Sequence, residues 1–400
     1  MAYVPVAFIL AGMTAYTVLA GADFGAGLWT LLAFGGSAGA RRIRDEARHA
    51  MGPVWEANHV WLIFVLVVAW TAYPVAYGSI TSTLAAPLLI AAIGIIFRGA
   101  AYALRGVEDG SRSAEYLFAL SSVLTPFALG TAIGAIAIGR VPVGNAAGNP
   151  VTSWLNPASV LIGALAVAFS GYLAAVYLAA DSLRDRALAD AFRRRALAAG
   201  LASGALALAG LLVMRHSGLD LTHGAALALV CVSAVAGLST LLLCWLYRFE
   251  LARVTAALAV AAVVVGWAAG QAPRLLPGLT VTAAAASRST LVALVIAVGG
   301  GAVVLIPSLA LLFTLYLRGR LYTPEHPAPE DSVPVAAPFS AAFEGRAAST
   351  TVRVWGGAAG IGLVAGAGLL VFADAGWAHL LGVACLVLCA VSVFRLTATD

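Results

Sequence analysis

Uninterrupted apolar runs of about 18 residues or more recur along nearly the whole 400-residue chain, each long enough to cross a bilayer as a helix. A backbone inside lipid must satisfy its own hydrogen bonds, which leaves helical bundles and closed barrels as the spanning folds. Barrels need alternating segments of about ten residues, and the runs here do not alternate. Hydrophobic residues make up 62% of the chain and charged residues 10%, against about a quarter charged in soluble domains. The expected fold is therefore all-α and polytopic. Eleven spans are predicted near 5–33, 53–73, 77–104, 116–139, 157–180, 194–214, 223–247, 252–270, 290–318, 354–372 and 377–396. The opening "MAYVPVAFIL" has neither a basic leader nor a small-residue cleavage site, so it is read as a retained first helix.

All 23 basic residues are Arg, and their placement orients the bundle. Loops after the odd-numbered spans carry 17 Arg and those after the even-numbered spans carry 4. Positive loops stay cytoplasmic, which puts the N-terminus outside and the C-terminus inside. The net charge of +5 is thus loop charge; no basic patch has the stacking aromatics of a nucleic-acid surface. The segment "RGRLYTPEHPAPEDSVPVAAPFSAAFEGRAASTTVR" is rich in Pro and charge and reads as a cytoplasmic linker. It divides the chain into a core over 1–318, a linker over 319–353 and a terminal helical hairpin over 354–400.

Ionisable side chains within spans are costly and mark candidate sites. Asp23 lies in the inner half of the first span, within "LAGADFGAGLW", where Gly25 and Gly27 permit close helix approach and leave room for water. The second span opens with "GPVWEANHVWLIF", which holds Trp55, Glu56, Asn58, His59 and Trp61. Arg98 lies near the cytoplasmic end of the third, in "IIFRGAAYALR". Asp23, Glu56 and Arg98 thus fall in one inner-leaflet layer. The tight turn "AYPVAY" makes the second and third spans antiparallel neighbours, so Arg98 can pair with Glu56 or Asp23. A carboxylate beside an Arg and open to the cytoplasm suits proton entry, and Glu56 and His59 share a helix face as a possible relay. Simpler roles stand beside this one: Glu56 as a macrodipole partner, Arg98 snorkelling to the interface, His59 as an interhelical hydrogen-bonder, Trp55 and Trp61 as belt residues.

Other features carry less. Cys385 and Cys389 share a helix face without a neighbouring His or carboxylate, and are read as small apolar filler. His216, Asp220 and His223 cluster at an outer turn, read as solvated rather than metal-binding. "RDRALADAFRRR" is a cytoplasmic charge run able to meet anionic lipid. The Gly-rich "GGAAGIGLVAGAG" follows no strand, so it reads as helix packing rather than a nucleotide loop. The chain shows no Walker loop, no Ser/His/Asp arrangement and no His pair placed to clamp a haem.

The runs "GADFGAGLW", "RRIRDEARHAMGPVWEANHVWLI", "AYPVAYG" and "FRGAAYALR" resemble subunit II of cytochrome bd-type quinol oxidases. "LNPASVLIGALAV", "PRLLPGLTVTAAAASRSTL" and "IPSLALLFTLYLRG" agree in order, extending the likeness to about residue 320. The resemblance implies a nine-helix core of two four-helix bundles plus a peripheral helix, in a bacterial cell membrane. It implies a partner, subunit I, that holds haems b and d and oxidises quinol while dioxygen is reduced to water. This chain would bind no cofactor itself, stabilise that partner and supply a cytoplasmic proton path. Asp23, Glu56 and Arg98 match the family's acidic and Arg positions; Trp55, Asn58 and Trp61 fill the other places of its tryptophan run. The added linker and hairpin depart from the family and could replace a small accessory subunit. The rival readings are a proton-coupled secondary transporter, for which no inverted repeat is visible, and a structural membrane scaffold.

Overall fold

A computed structural model describes residues 1–33, 38–51, 55–104 and 112–317, with isolated positions between 358 and 392; of Trp55 and Glu56 only the backbone is described. The helices are α1 (Val4–Leu32), α2 (Ala38–Met51), α3 (Trp55–Ala72), α4 (Pro74–Thr83), α5 (Ala85–Leu104) and α6 (Arg112–Ala137). They continue with α7 (Pro157–Asp181), α8 (Arg186–His216), α9 (Gly224–Trp245), α10 (Phe249–Gln271), α11 (Val281–Ala284) and α12 (Arg288–Leu317). Among the described residues seven helices are long and apolar enough to cross a membrane, and the bent pair α4–α5 makes an eighth. α3 is a shorter apolar helix. Each of the nine spans expected over 1–318 therefore has its helix. The expected linker lies outside the described residues, as does most of the terminal hairpin.

The helices fall into two groups. α1 packs against α3 and α6, and α5 joins them through Arg98. α7 to α10 form the second group, with α8 on α7 and α10 on both α9 and α7. α1 is shared between the groups, since it also packs along α7. α12 touches α3 and α1 and buries little of its surface, as suits a peripheral helix.

Small residues set the α1–α7 distance. A methyl group added at Gly25 would overlap the Ser170 carbonyl, so only glycine permits this approach. One turn further, Trp29 Nε1 donates to the Gly171 carbonyl at 2.8 Å. Helix ends are closed locally. Asn156 caps α7 by accepting from Ser159 N at 3.0 Å, with Pro157 at the first helical position; Asp185 caps α8 by accepting from Leu188 N.

Two segments differ from the sequence expectation. The loop expected after the first span contains α2, a helix with Ile43 and Ala47 buried at i, i+4 while Arg41, Arg42 and Asp45 are exposed. Its Arg44 donates to the Ala33 carbonyl at the end of α1 at 2.8 Å, and Arg42 pairs with Asp185 before α8. The pairing brings two Arg-bearing loops to one end of the bundle, as the Arg count requires.

The third span, expected as one helix over 77–104, is broken. α4 and α5 meet at 81° around Leu84. Pro87 has no N–H for the Thr83 carbonyl, and its ring would clash with that carbonyl in a continuous helix. α4 is held where it turns by the loop after α6: Ser79 Oγ accepts from Gly144 N at 2.9 Å and Ser82 Oγ from Ala146 N at 2.8 Å. At the same end Ala286 N donates to the Ala72 carbonyl at 2.8 Å, satisfying the last turn of α3. Here the sequence "LLPGLT" forms a two-stranded hairpin, β1 (Arg274–Leu276) with β2 (Leu279–Thr280). Its turn needs Gly278 at φ +73°.

Candidate functional site: a buried ion pair joining three helices

Asp23 on α1, Arg98 on α5 and Ser122 on α6 meet inside the first helix group. Arg98 Nη2 donates to Asp23 Oδ1 at 2.6 Å and to the Asp23 carbonyl at 2.7 Å, while Nε donates to Oδ2 at 3.2 Å. Nη1 donates to Ser122 Oγ. The guanidinium lies 5.1 Å from the ring centroid of Phe24 and 4.4 Å from that of Phe118, which adds cation–π attraction in a place without water. Side-chain exposure is 0% for Arg98 and 1% for Asp23. Two charges so deeply buried are tolerated because the pairing is bidentate and the guanidinium is otherwise hydrogen-bonded.

The sequence makes room for this cluster in two ways. Gly27 faces it: a methyl group there would overlap Ser122 Oγ and stand 3.2 Å from Arg98 Nη1. Pro126 lies inside α6 four residues after Ser122, so the regular helix bond to the Ser122 carbonyl is missing at this depth.

The second span contributes from the side of α3. His59 lies 6.0 Å from the ring of Tyr16 and 6.1 Å from that of Phe24, centroid to centroid. Phe24 thus neighbours both the imidazole and the Arg98 guanidinium. Asn58 is buried and its Nδ2 points at the Leu19 carbonyl of α1 at 3.4 Å. Trp61 packs with Leu62 and Ile95 against Tyr16, Ala20 and Phe24, and meets Phe64 edge to face. The expectations for the Glu56 and Trp55 side chains fall outside the described residues.

Four expectations need correction. Arg98 does not snorkel: a carboxylate, a carbonyl, a hydroxyl and two phenyl faces give the guanidinium a better environment inside than the lipid edge. The space beside Asp23 is not left for water, because Ser170 and Ser122 fill the gaps at Gly25 and Gly27. Trp61 is not a simple belt residue, since it closes the α1–α3–α5 contact. The second span packs more along α1 than along the third span.

Sequence reasoning missed Ser122, Phe118 and Tyr16. The pair Ser121–Ser122 four residues before an intrahelical proline was a usable signal for the first. Tyr16 lies seven residues, about two helical turns, outward of Asp23 on the same helix, and its buried hydroxyl has no hydrogen-bond partner among the described residues.

The sequence profile of the family described as cytochrome bd terminal oxidase subunit II matches residues 1–316. The chain belongs to this family. The matched region takes in Tyr16, Asp23, His59, Arg98 and Ser122, and the residues from 317 onward lie beyond it. A curated relative, cytochrome bd ubiquinol oxidase subunit 2 of Bacillus subtilis (strain 168), is 30% identical over 115 residues. That alignment spans 28% of this chain and 33% of the relative, so about a third of the relative's length is matched. Among solved structures, the bd oxidase from Geobacillus thermodenitrificans has a chain similar in fold at TM-score 0.60 and 23% identity. The likeness covers 79% of this chain and 98% of that one. This subunit II family member is accordingly a multi-pass bacterial membrane protein, with its buried ion pair inside the family core.

Proposed function

We propose that the chain is the non-haem subunit of a quinol:oxygen oxidoreductase, working only with a haem-bearing subunit I. Haems b and d and quinol oxidation belong to that partner, and this chain stabilises it and supplies protons from the cytoplasm. The route starts at Glu56, which opens α3 one turn before His59, and passes the imidazole toward the Asp23–Arg98 layer. Asp23 offers a transiting proton its counter-charge, and Arg98 neutralises that carboxylate when no proton is present. Protons consumed at dioxygen from one side then build a gradient without a pump. The observation that supports this reading is the fully buried Asp23–Arg98 pair beside the His59 imidazole, since charge at this depth is costly unless it has a task.

The test is Glu56→Gln and Asp23→Asn in the assembled complex, with oxygen consumption, proton uptake and haem absorption measured together. The route predicts a fall of about tenfold or more in turnover and uptake with unchanged haem spectra. Unchanged turnover and uptake would remove it. The bidentate pairing also favours a second reading, in which Asp23 and Arg98 only clamp α1, α5 and α6. In that case Asp23→Asn depletes assembled, haem-containing complex while the turnover of each surviving complex stays as it was.

A further inference from the structure

The turn between α9 and α10 holds a tyrosine in a backbone conformation that side chains rarely adopt. Tyr247 has φ +59°, at the place after a helix where glycine usually provides the left-handed residue. The steric cost implies a use for the side chain. The hydroxyl donates to Asp190 Oδ1 at 2.6 Å, and the ring meets Phe249 edge to face at 5.8 Å. The Arg193 guanidinium lies 4.5 Å from the same ring and the Arg186 guanidinium 5.9 Å from it. Arg193 is also 5.6 Å from the ring of Trp245.

Positive charge at this cluster exceeds its counter-charge. Two guanidinium groups gather around one ring, and Asp190 is the carboxylate that bonds to it. Its Oδ1 accepts from Tyr247 and forms an ion pair with Arg193 Nε at 3.6 Å, longer than a hydrogen bond. Among the described residues the Arg193 Nε has no hydrogen-bond partner. Arg194 and Arg248, both exposed, add further charge nearby in sequence. Beside this basic end runs an apolar track. Leu238, Leu242 and Trp245 follow one face of α9 and are exposed at 67%, 59% and 65%. By the Arg count this end of the bundle is cytoplasmic.

We propose that Arg186, Arg193, Trp245 and Tyr247 seat the phosphate of an anionic phospholipid of the cytoplasmic leaflet, with an acyl chain along Leu238 and Leu242. Guanidinium forks bind phosphate oxygens in pairs, and each Arg near a membrane surface adds attraction for acidic headgroups. A zwitterionic headgroup brings its own cation to a site already rich in cations, and free phosphate makes no use of the apolar track. The seat shares no residue with the Asp23–Arg98 cluster and does not depend on the proton route.

The experiment uses the full chain, with the subunits that co-purify, in detergent micelles containing phosphatidylglycerol, phosphatidylcholine or inorganic phosphate. Native mass spectrometry reads the bound lipid. Phosphatidylglycerol should be retained about tenfold or more over phosphatidylcholine. Arg186→Gln/Arg193→Gln should abolish that preference, while Arg274→Gln, exposed on the outer hairpin, should keep it. If the double variant does not fold, Arg186→Gln alone, at an exposed position, is read in the same way. Equal retention of the two lipids, displacement of phosphatidylglycerol by inorganic phosphate, or a variant that keeps the preference overturns the proposal.

Discussion

Arg98 on α5 grips both carboxylate oxygens of Asp23 on α1, and the pair lies wholly out of solvent. Removing one partner leaves the other charge buried without its counter-charge in this pair, at a cost of about 3–5 kcal/mol. Arg98→Met and Asp23→Leu should each lower the unfolding free energy in mixed detergent micelles by that amount. The double variant should recover most of the loss, because neither charge then remains. A double-mutant cycle reads the coupling directly, and additive losses would mean that the two groups do not stabilise one another.

Gly25 and Gly27 separate two kinds of close approach. A methyl at Gly25 meets the Ser170 carbonyl, which is backbone and cannot turn away; one at Gly27 meets the Ser122 hydroxyl and then Arg98. Gly25→Ala should therefore cost more than Gly27→Ala, within the range of about 1–3 kcal/mol typical of overpacking. Gly204 and Gly237 have open space where a side chain would go. Alanine there should be neutral or stabilise its helix by about 0.5–1 kcal/mol. Thermal midpoints of the four variants test the order.

Apolar run lengths carry the architecture of the core, because a lipid environment imposes helix. Asp23 and Arg98 were legible as candidates because charged residues are conspicuous among Gly, Ala and Leu, and the structure pairs them. The sequence left open whether Arg98 meets Asp23, because that contact depends on the 81° bend at Leu84, which follows from where Pro87 falls and from what holds α4 outside. α2 was hidden because two buried residues, Ile43 and Ala47, are too short a pattern among so many charges. Phe118 and Tyr16 became visible only when helices distant in sequence came together.

Asp220 lies in the turn between α8 and α9 and accepts from the Thr222 hydroxyl at 2.6 Å and the Thr222 amide at 2.8 Å. These bonds favour the carboxylate and hold its pKa below the ordinary range, with nearby His223 and Arg215 adding to the effect. A lowered folded-state pKa contributes stability that is present above the ordinary carboxylate value and is lost as pH falls through the lowered one. Thr222→Val removes the hydroxyl and should move the Asp220 midpoint upward. Carboxyl-detected NMR titration measures the shift, and an unmoved midpoint would show that the hydroxyl contributes nothing.

Tyr16 presents a hydroxyl that is buried on α1 without a hydrogen-bond partner among the described residues, while its ring packs against Phe24 and His59 at 6.4 and 6.0 Å. The ring contacts stabilise; the hydroxyl, stripped of water, costs about 1–3 kcal/mol. Tyr16→Phe keeps the ring and removes the cost, so the unfolding midpoint should rise. Tyr16→Leu should lower it instead, through loss of both aromatic contacts and of packing against Ala20. If Tyr16→Phe destabilises the protein, the hydroxyl has a bonding partner in the membrane-embedded state. Its position two helical turns outward of Asp23 would then make it the next group to examine along the proposed route.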